Sequence, residues 1–248
     1  MQIICETPSW IAVHKPAGLA VQTRRIGEQD LTSLLLNYLH QASPQSGKTA
    51  ADAKAPYLAV IHRLDQPVEG IVLFAKTPSA AAALSAQLQS HQMKKEYLAC
   101  VQVLPGKEAA GITPQSSGGS SWHTLTDFLR KDGRTNTSQV AAPGTPSAKK
   151  AVLDYQVLSA SGETAVLRIR LHTGRHHQIR VQLAHAGMPI FGDRKYGRKS
   201  QEAYPENGAG PDRFPALCAC RLSFTDPDTR TPVVLETEAD HERLRKRE

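Results

Sequence analysis

The chain of 248 residues lacks most of the features that announce a membrane protein, a metalloprotein or a nucleotide-binding enzyme. No apolar stretch approaches the roughly 20 residues a membrane-spanning helix needs, so no membrane association is expected. The opening Met1-Gln2-Ile3-Ile4-Cys5-Glu6 has neither a basic start nor a long apolar run, so a secretory leader is not expected and a cytoplasmic location is. Cysteine is sparse, at 4 residues, and Cys5 and Cys100 lie in apolar strand-like runs that suit reduced core positions better than bridges. Cys218-Ala219-Cys220 leaves one residue inside its pair, and Gly174 interrupts the helical spacing of His172 and His176. Neither pattern is that of a structural zinc site, and no metal is expected. No glycine-rich nucleotide loop and no fixed-period repeat is present, so no cofactor and no solenoid are expected either.

What is present points elsewhere. The formal charge of +7 and pI near 9.3 suit a polyanionic partner. The length allows one large core, and residues 1–248 are expected to form a single domain of α+β class, a mixed sheet with flanking helices. Residues 1–25 read as strands around the Lys15-Pro16-Ala17-Gly18 turn. Leu31, Leu34, Leu35, Tyr38 and Leu39 mark an amphipathic helix opened by Asp30, and Thr77-Pro78 caps another running to about Gln92. Two stretches without periodicity, 43–56 and 106–121, read as an exposed connection and a mobile loop. Segments 125–130 and 135–140 flank Asp132-Gly133 and read as a hairpin that could reach a ligand or cover the sheet.

Two strings are dense in chemistry. His62-Arg63-Leu64-Asp65-Gln66 lies between the strand-like runs 58–61 and 71–75, so Asp65 falls on a short loop between packed elements. In an extended segment Arg63 and Asp65 share a face and Leu64 turns inward. The same string also fits a surface ion pair. The second string, from Leu171 to Gly187, combines His172, Arg175, His176, His177 and Arg180 with Ile179, Leu183 and Ala186 at helical spacing. That pattern predicts a helix with one apolar stripe, closed by a left-handed Gly187 before Met188-Pro189. The preceding strand 165–171 alternates apolar and basic residues, which makes one face positive.

The chain resembles the RluA-type RNA pseudouridine synthases, which isomerise uridine to pseudouridine within RNA. Four blocks in the family's order carry the resemblance: Val13-His14-Lys15-Pro16-Ala17-Gly18-Leu19; His62-Arg63-Leu64-Asp65 with Gly70 and Ala75-Lys76; Lys95-Glu96-Tyr97-Leu98-Ala99-Cys100-Val101; and Thr173-Gly174-Arg175 through His177-Gln178-Ile179-Arg180-Val181 to Gly192-Asp193 and Tyr196-Gly197. A weaker closing block runs from Cys218 to Thr229. The family usually has Thr-Ser before the glycine of its second block, where Val68-Glu69 stand here and add a carboxylate of open role. His176 replaces a frequent Thr, and Gln182 a frequent His.

The resemblance implies a mainly antiparallel sheet and a catalytic domain that starts within the first twenty residues, with no small N-terminal RNA-binding domain before it. It makes Asp65 the catalytic carboxylate, acting on the ribose C1′, on the uracil ring or as a base toward the sugar. Leu64, Ile179 and Leu183 would line an apolar pocket that pushes a carboxylate toward neutrality unless a cation holds it charged, and Arg180 is that cation. Tyr97 would stack on the detached uracil. Arg63 would fill the space left by the flipped uridine, and Lys15, Lys76 and Arg175 would contact the RNA backbone. The expected partner is ribosomal or transfer RNA, with no DNA and with the protein as a monomer. Two other classes fit some of the residues: a glycosidase pairing Asp65 with Glu69 or Asp193, and a noncatalytic RNA-binding protein on the same scaffold.

Overall fold

Runs of buried branched residues set the strands, and capped stretches set the helices. The computed structural model describes residues 1–42, 55–103, 121–161, 163–197 and 214–237. In chain order the elements are β1 (Gln2–Glu6), β2 (Trp10–Lys15), α1 (Leu31–Ala42), β3 (Ala59–Val60), β4 (Glu69–Ala75), α2 (Pro78–Gln89), β5 (Lys94–Gln102), β6 (His123–Asp132), β7 (Thr137–Ala141), β8 (Lys149–Ser161), β9 (Thr164–Leu171), α3 (Gln178–His185), β10 (Leu217–Thr225) and β11 (Pro232–Glu236). The class is the expected α+β, with mainly antiparallel strands and three helices among the described residues. The segments read as loops over 43–56 and 106–121 lie almost wholly outside the described residues. The chain divides into two compact units, Met1–Met93 with Arg221–Thr237, and Lys94–Cys220.

In the first unit β2 pairs antiparallel with β1 and with β4, from Trp10 opposite Ala75 to Lys15 opposite Gly70. All seven residues of β4 are buried, which explains its unbroken apolar run from Ile71 to Ala75. β3 pairs with β4 through Ala59 and Val60. The late segment β10–β11 supplies Leu222, Phe224 and Leu235 to the same core as Trp10, Leu73 and Leu84. Phe224 meets Trp10 edge-on at 5.2 Å, and the indole N–H of Trp10 donates to Asp226 Oδ2 at 2.8 Å. Asp30 opens α1 by accepting from Ser33 N at 2.8 Å, as its position before the apolar stripe predicts. Thr77 caps α2, accepting from Ala80 N, but this helix ends at Gln89 instead of Gln92, where Ser90 turns its N–H back to Ala86 O and His91 adopts a left-handed φ of 58°.

In the second unit the strand order is β5-β9-β8-β6-β7, every neighbour antiparallel. The hairpin expected around Asp132-Gly133 forms, with Asp132 opposite Thr137. The basic residues of β9 do lie to one side, but that side is not simply positive: Glu96 stands opposite Arg170 and pairs with it at 2.8 Å. The helix in the second string is shorter and more deeply buried than its pattern suggested. It begins at Gln178, and Gln178 through Leu183 are all buried, polar members included, so no single apolar stripe separates core from solvent. Gly187 takes the expected left-handed φ, at 80°.

Candidate active site

The loop bearing Asp65 is held by main-chain and buried side-chain contacts within the first unit. Ile61 N donates to Leu73 O, and Leu73 N donates to His62 Nε2 at 3.3 Å. An imidazole nitrogen that accepts a backbone N–H carries no proton, so His62 is neutral with its hydrogen on Nδ1. Leu64 is buried, Arg63 is exposed and Asp65 is half-buried between them. Val68 N closes a turn onto Asp65 O at 3.0 Å. The β2 turn is stitched to this loop, with Gly18 N donating to Gln66 O at 2.9 Å and Gln66 Nε2 donating to Gly18 O at 3.1 Å. Gly18 has φ 88°, a left-handed value that a side chain would strain.

Lys15 sits at the centre of that junction. It is 0 % exposed, and its ammonium donates to Pro16 O, Leu19 O and Gln66 O at 3.0, 2.8 and 3.0 Å. The backbone-contact role expected for Lys15 is therefore corrected: its three N–H groups are spent on internal carbonyls, and it fixes the loop from within. Burial pushes its pKa down to about 8, against the pull of the Asp65 and Glu69 carboxylates. Glu69 is itself buried, beside Gly70 at the start of β4. Lys76 is also engaged inside its unit, pairing with Glu6 at 2.5 Å and donating to Thr7 O at 2.9 Å.

In the second unit Tyr97 is buried on β5, opposite Ile169. Lys95 shares its side of the strand by alternation, and burial lowers its ammonium pKa. Arg180, on α3, is 4 % exposed and makes a two-pronged pair with Asp193: Nε to Oδ2 at 2.7 Å and Nη2 to Oδ1 at 2.8 Å. The same Oδ1 accepts from Lys195 N and Tyr196 N, so a tight turn holds the carboxylate. Gly197 is required there, since a Cβ would lie 2.3 Å from Asp193 O. The Tyr196 ring lies 5.1 Å below the Arg180 guanidinium.

The Tyr196 hydroxyl accepts from Ser138 N at 2.8 Å and lies 2.7 Å from His177 Nδ1. The hydroxyl thus links the backbone of β7 to the His177 ring. Burial, with Arg180, His176 and Lys195 as positive neighbours, pushes His177 down to about 3, so the ring is neutral. His177 caps α3 in a left-handed conformation, φ 54°, stacked on His176 at 3.7 Å. Of the remaining expected site residues, Ile179 and Leu183 are buried, and Arg175 is exposed with Nε donating to Lys150 O. Tyr196 and His177 had no role assigned from sequence and Asp193 only that of a second acid in a glycosidase, although the strings Gly192-Asp193 and Tyr196-Gly197 contained the signal.

A family model described as RNA pseudouridylate synthase matches residues 9–185, a span that includes both the Asp65 loop and α3. The chain belongs to the RNA pseudouridylate synthase family. Among curated members, the ribosomal large subunit pseudouridine synthase D of Nitrosomonas europaea is 33% identical over 92% of this chain and 58% of its own length. The tRNA pseudouridine synthase C of Pasteurella multocida is 28% identical over 98% of this chain and 93% of its own length. This pseudouridylate synthase family member spans 58% of the length of that synthase D and 52% of the length of the synthase D of Xylella fastidiosa. The solved structure of human RNA pseudouridylate synthase domain containing 4 shares the fold at a TM-score of 0.69, with 22% identity over 98% of this chain and 93% of that one.

Proposed function

We propose that this protein isomerises specific uridines in ribosomal or transfer RNA to pseudouridine, with Asp65 as the catalytic carboxylate, in one catalytic domain. The observation that carries the reading is the construction of the Asp65 loop, locked by Lys15, Gln66 and His62, in a chain whose family model covers it. Uracil must leave C1′ through nitrogen, turn, and reattach through C5, with no net oxidation or hydrolysis. One ionised carboxylate can start this by attacking C1′ or the ring, or by taking a proton from the sugar. Tyr97 supplies an aromatic face for the detached base. Arg180 acts as counter-ion to the catalytic carboxylate, its guanidinium held in direction by Asp193. Arg63, exposed beside Asp65, occupies the stack vacated by the flipped uridine.

In this reading the protein works in the cytoplasm as a monomer, on RNA and not DNA, with no metal or organic cofactor. Relatives named for ribosomal RNA and for transfer RNA leave both as substrate classes. The test is conversion by purified protein on ribosomal and transfer RNA. Asp65→Asn should keep the fold and RNA affinity and lower turnover roughly 10³-fold or more. Pseudouridine formed at a normal rate by that variant defeats the assignment. Free uracil released by the unmodified protein would instead indicate a glycosidase, and RNA binding without conversion would indicate a noncatalytic binder.

A further inference from the structure

The segment between β2 and α1 presents a feature that the reaction chemistry does not use. Ile26 is 104 % exposed, against 50 % for Val234, the next most exposed large apolar residue among those described. Arg24 and Arg25 precede it, both exposed, and Gly27 follows with a left-handed φ of 84° and open space around its Cβ position. An isoleucine wholly in water contributes no burial to the fold, and beside two guanidiniums it offers an apolar contact within a basic patch.

The tip stands on a firm base. Asp30 accepts from Thr23 N and Ser33 N, both at 2.8 Å, which ties the end of the loop to α1. Leu31 N donates to Ala20 O at 2.9 Å, and Thr32 bonds Val21 O through both N and Oγ1. Within the tip, Arg25 N donates to Thr23 Oγ1 and Glu28 N to Arg25 O. The start of the same segment is the one stitched to Gln66, next to Asp65, by Gly18 and Lys15. The base of the segment is thus tied both to α1 and to the turn that holds the candidate catalytic loop.

We propose that Arg24, Arg25 and Ile26 form an RNA-binding finger. The two guanidiniums take phosphates flanking the target, and Ile26 packs on a base loosened from its stack, as apolar wedges do at kinked base steps. This rests on the reading of RNA as substrate. The chemistry favours a nucleic acid over a protein, because one aliphatic side chain next to two cations is too small an apolar patch for a stable protein interface and well matched to a polyanion with exposed base faces. The exposed pairing of Arg25 with Glu28 at 2.9 Å is exchangeable for a phosphate.

The experiment measures the affinity of the full chain for a stem-loop RNA it modifies, and for an unstructured oligonucleotide of the same composition, across a salt series. The double variant Arg24→Ala with Arg25→Ala should bind both RNAs more weakly, with the slope of log affinity on log salt reduced by about 1.4 to 1.8 for two lost phosphate contacts. Ile26→Ser should leave that slope alone and weaken binding to the stem-loop by roughly three- to tenfold, with less effect on the oligonucleotide. Turnover at saturating RNA should stay within about twofold of the unmodified protein in both variants, since uniform binding is lost and chemistry is not. Affinities and slopes identical to the unmodified protein overturn the finger while leaving the synthase reading intact. An unmodified protein that neither binds nor modifies RNA overturns that reading, and the finger with it. Melting temperatures measured alongside separate misfolding from lost contacts, and a variant that retains its melting temperature but loses no affinity counts against the proposal.

Discussion

Lys15 and Arg180 are both buried cations in the candidate machinery, yet they are held in opposite ways. Arg180 is held edge-on by the Asp193 carboxylate, whose Oδ1 also accepts from the backbone N–H groups of Lys195 and Tyr196. Lys15 has neutral carbonyls on all three of its hydrogens and feels Asp65 and Glu69 through their field. An ion pair with fixed geometry gives direction and cancels charge, whereas an ammonium solvated by carbonyls keeps its charge available to nearby acids and titrates easily. The second unit is built for rigid aim, and the first for an adjustable electrostatic environment around a carboxylate.

The strongest way to break this contrast is to remove Asp193. Asp193→Leu leaves the Arg180 charge in a site 4 % exposed and should destabilise the protein by about 3–5 kcal/mol in urea unfolding, whereas the double change with Arg180→Leu should recover most of the loss. A mild single-variant effect would mean that Arg180 does not depend on its partner.

Lys15→Met comes next, at about 2–3 kcal/mol, because three buried carbonyls lose their donor. The pH dependence sharpens the comparison. The folded pKa of Lys15, about 8, lies below the unfolded value near 10.5, so the folded state binds fewer protons between them and the Lys15 contribution to stability rises with pH through that window. The stability difference between the unmodified protein and Lys15→Met should therefore grow from pH 7 to pH 9.5. Turnover should move the other way, falling above about pH 8 as the ammonium that supports the acids discharges. A flat rate from pH 7 to pH 9.5 would remove Lys15 from the electrostatics of the site.

The smallest effect concerns the network beneath Arg180. Tyr196→Phe keeps the ring under the guanidinium and loses the hydroxyl that serves Ser138 N and His177, which should lower stability by about 1–2 kcal/mol. His177 has a folded pKa near 3 against an ordinary 6.5, so the stability it contributes is complete above about pH 6.5 and drains as pH falls toward 3. His177→Gln should therefore flatten acid unfolding over that range, as read by circular dichroism.

Much of this was legible in the chain. Strands were readable where an apolar run was bounded by turn residues, as at 71–75, and helices where a cap preceded a periodic stripe, as at Asp30 and Thr77-Pro78. The Asp65 loop was readable because its flanking strands were. Periodicity failed at α3, where buried Gln178, Arg180 and Gln182 replace the polar face, because hydrogen bonds and a carboxylate partner let polar residues enter a core. Lys15 was misplaced for the same reason: one residue type serves a phosphate at the surface or three carbonyls inside, and sequence does not distinguish the two. Asp193 was visible as a motif acid but not as the partner of Arg180, since an ion pair thirteen residues apart depends on a turn closed by Gly197.

The partnership of Trp10 with Phe224 and Asp226, across 216 positions of chain, also fixes an order of events during synthesis. The β5-β9-β8-β6-β7 pairings all lie between Lys94 and Leu171, within a stretch that is made before the last strands. The first 93 residues emerge earlier but must wait, their core open where Leu222, Phe224 and Leu235 belong. For that interval Trp10, Leu73 and Leu84 stay unsealed, and the N-terminal part of the chain matures last. A chain truncated after Cys220 would leave the core around Trp10 and Leu73 unsealed, open to a chaperone or a protease at the end that was made first.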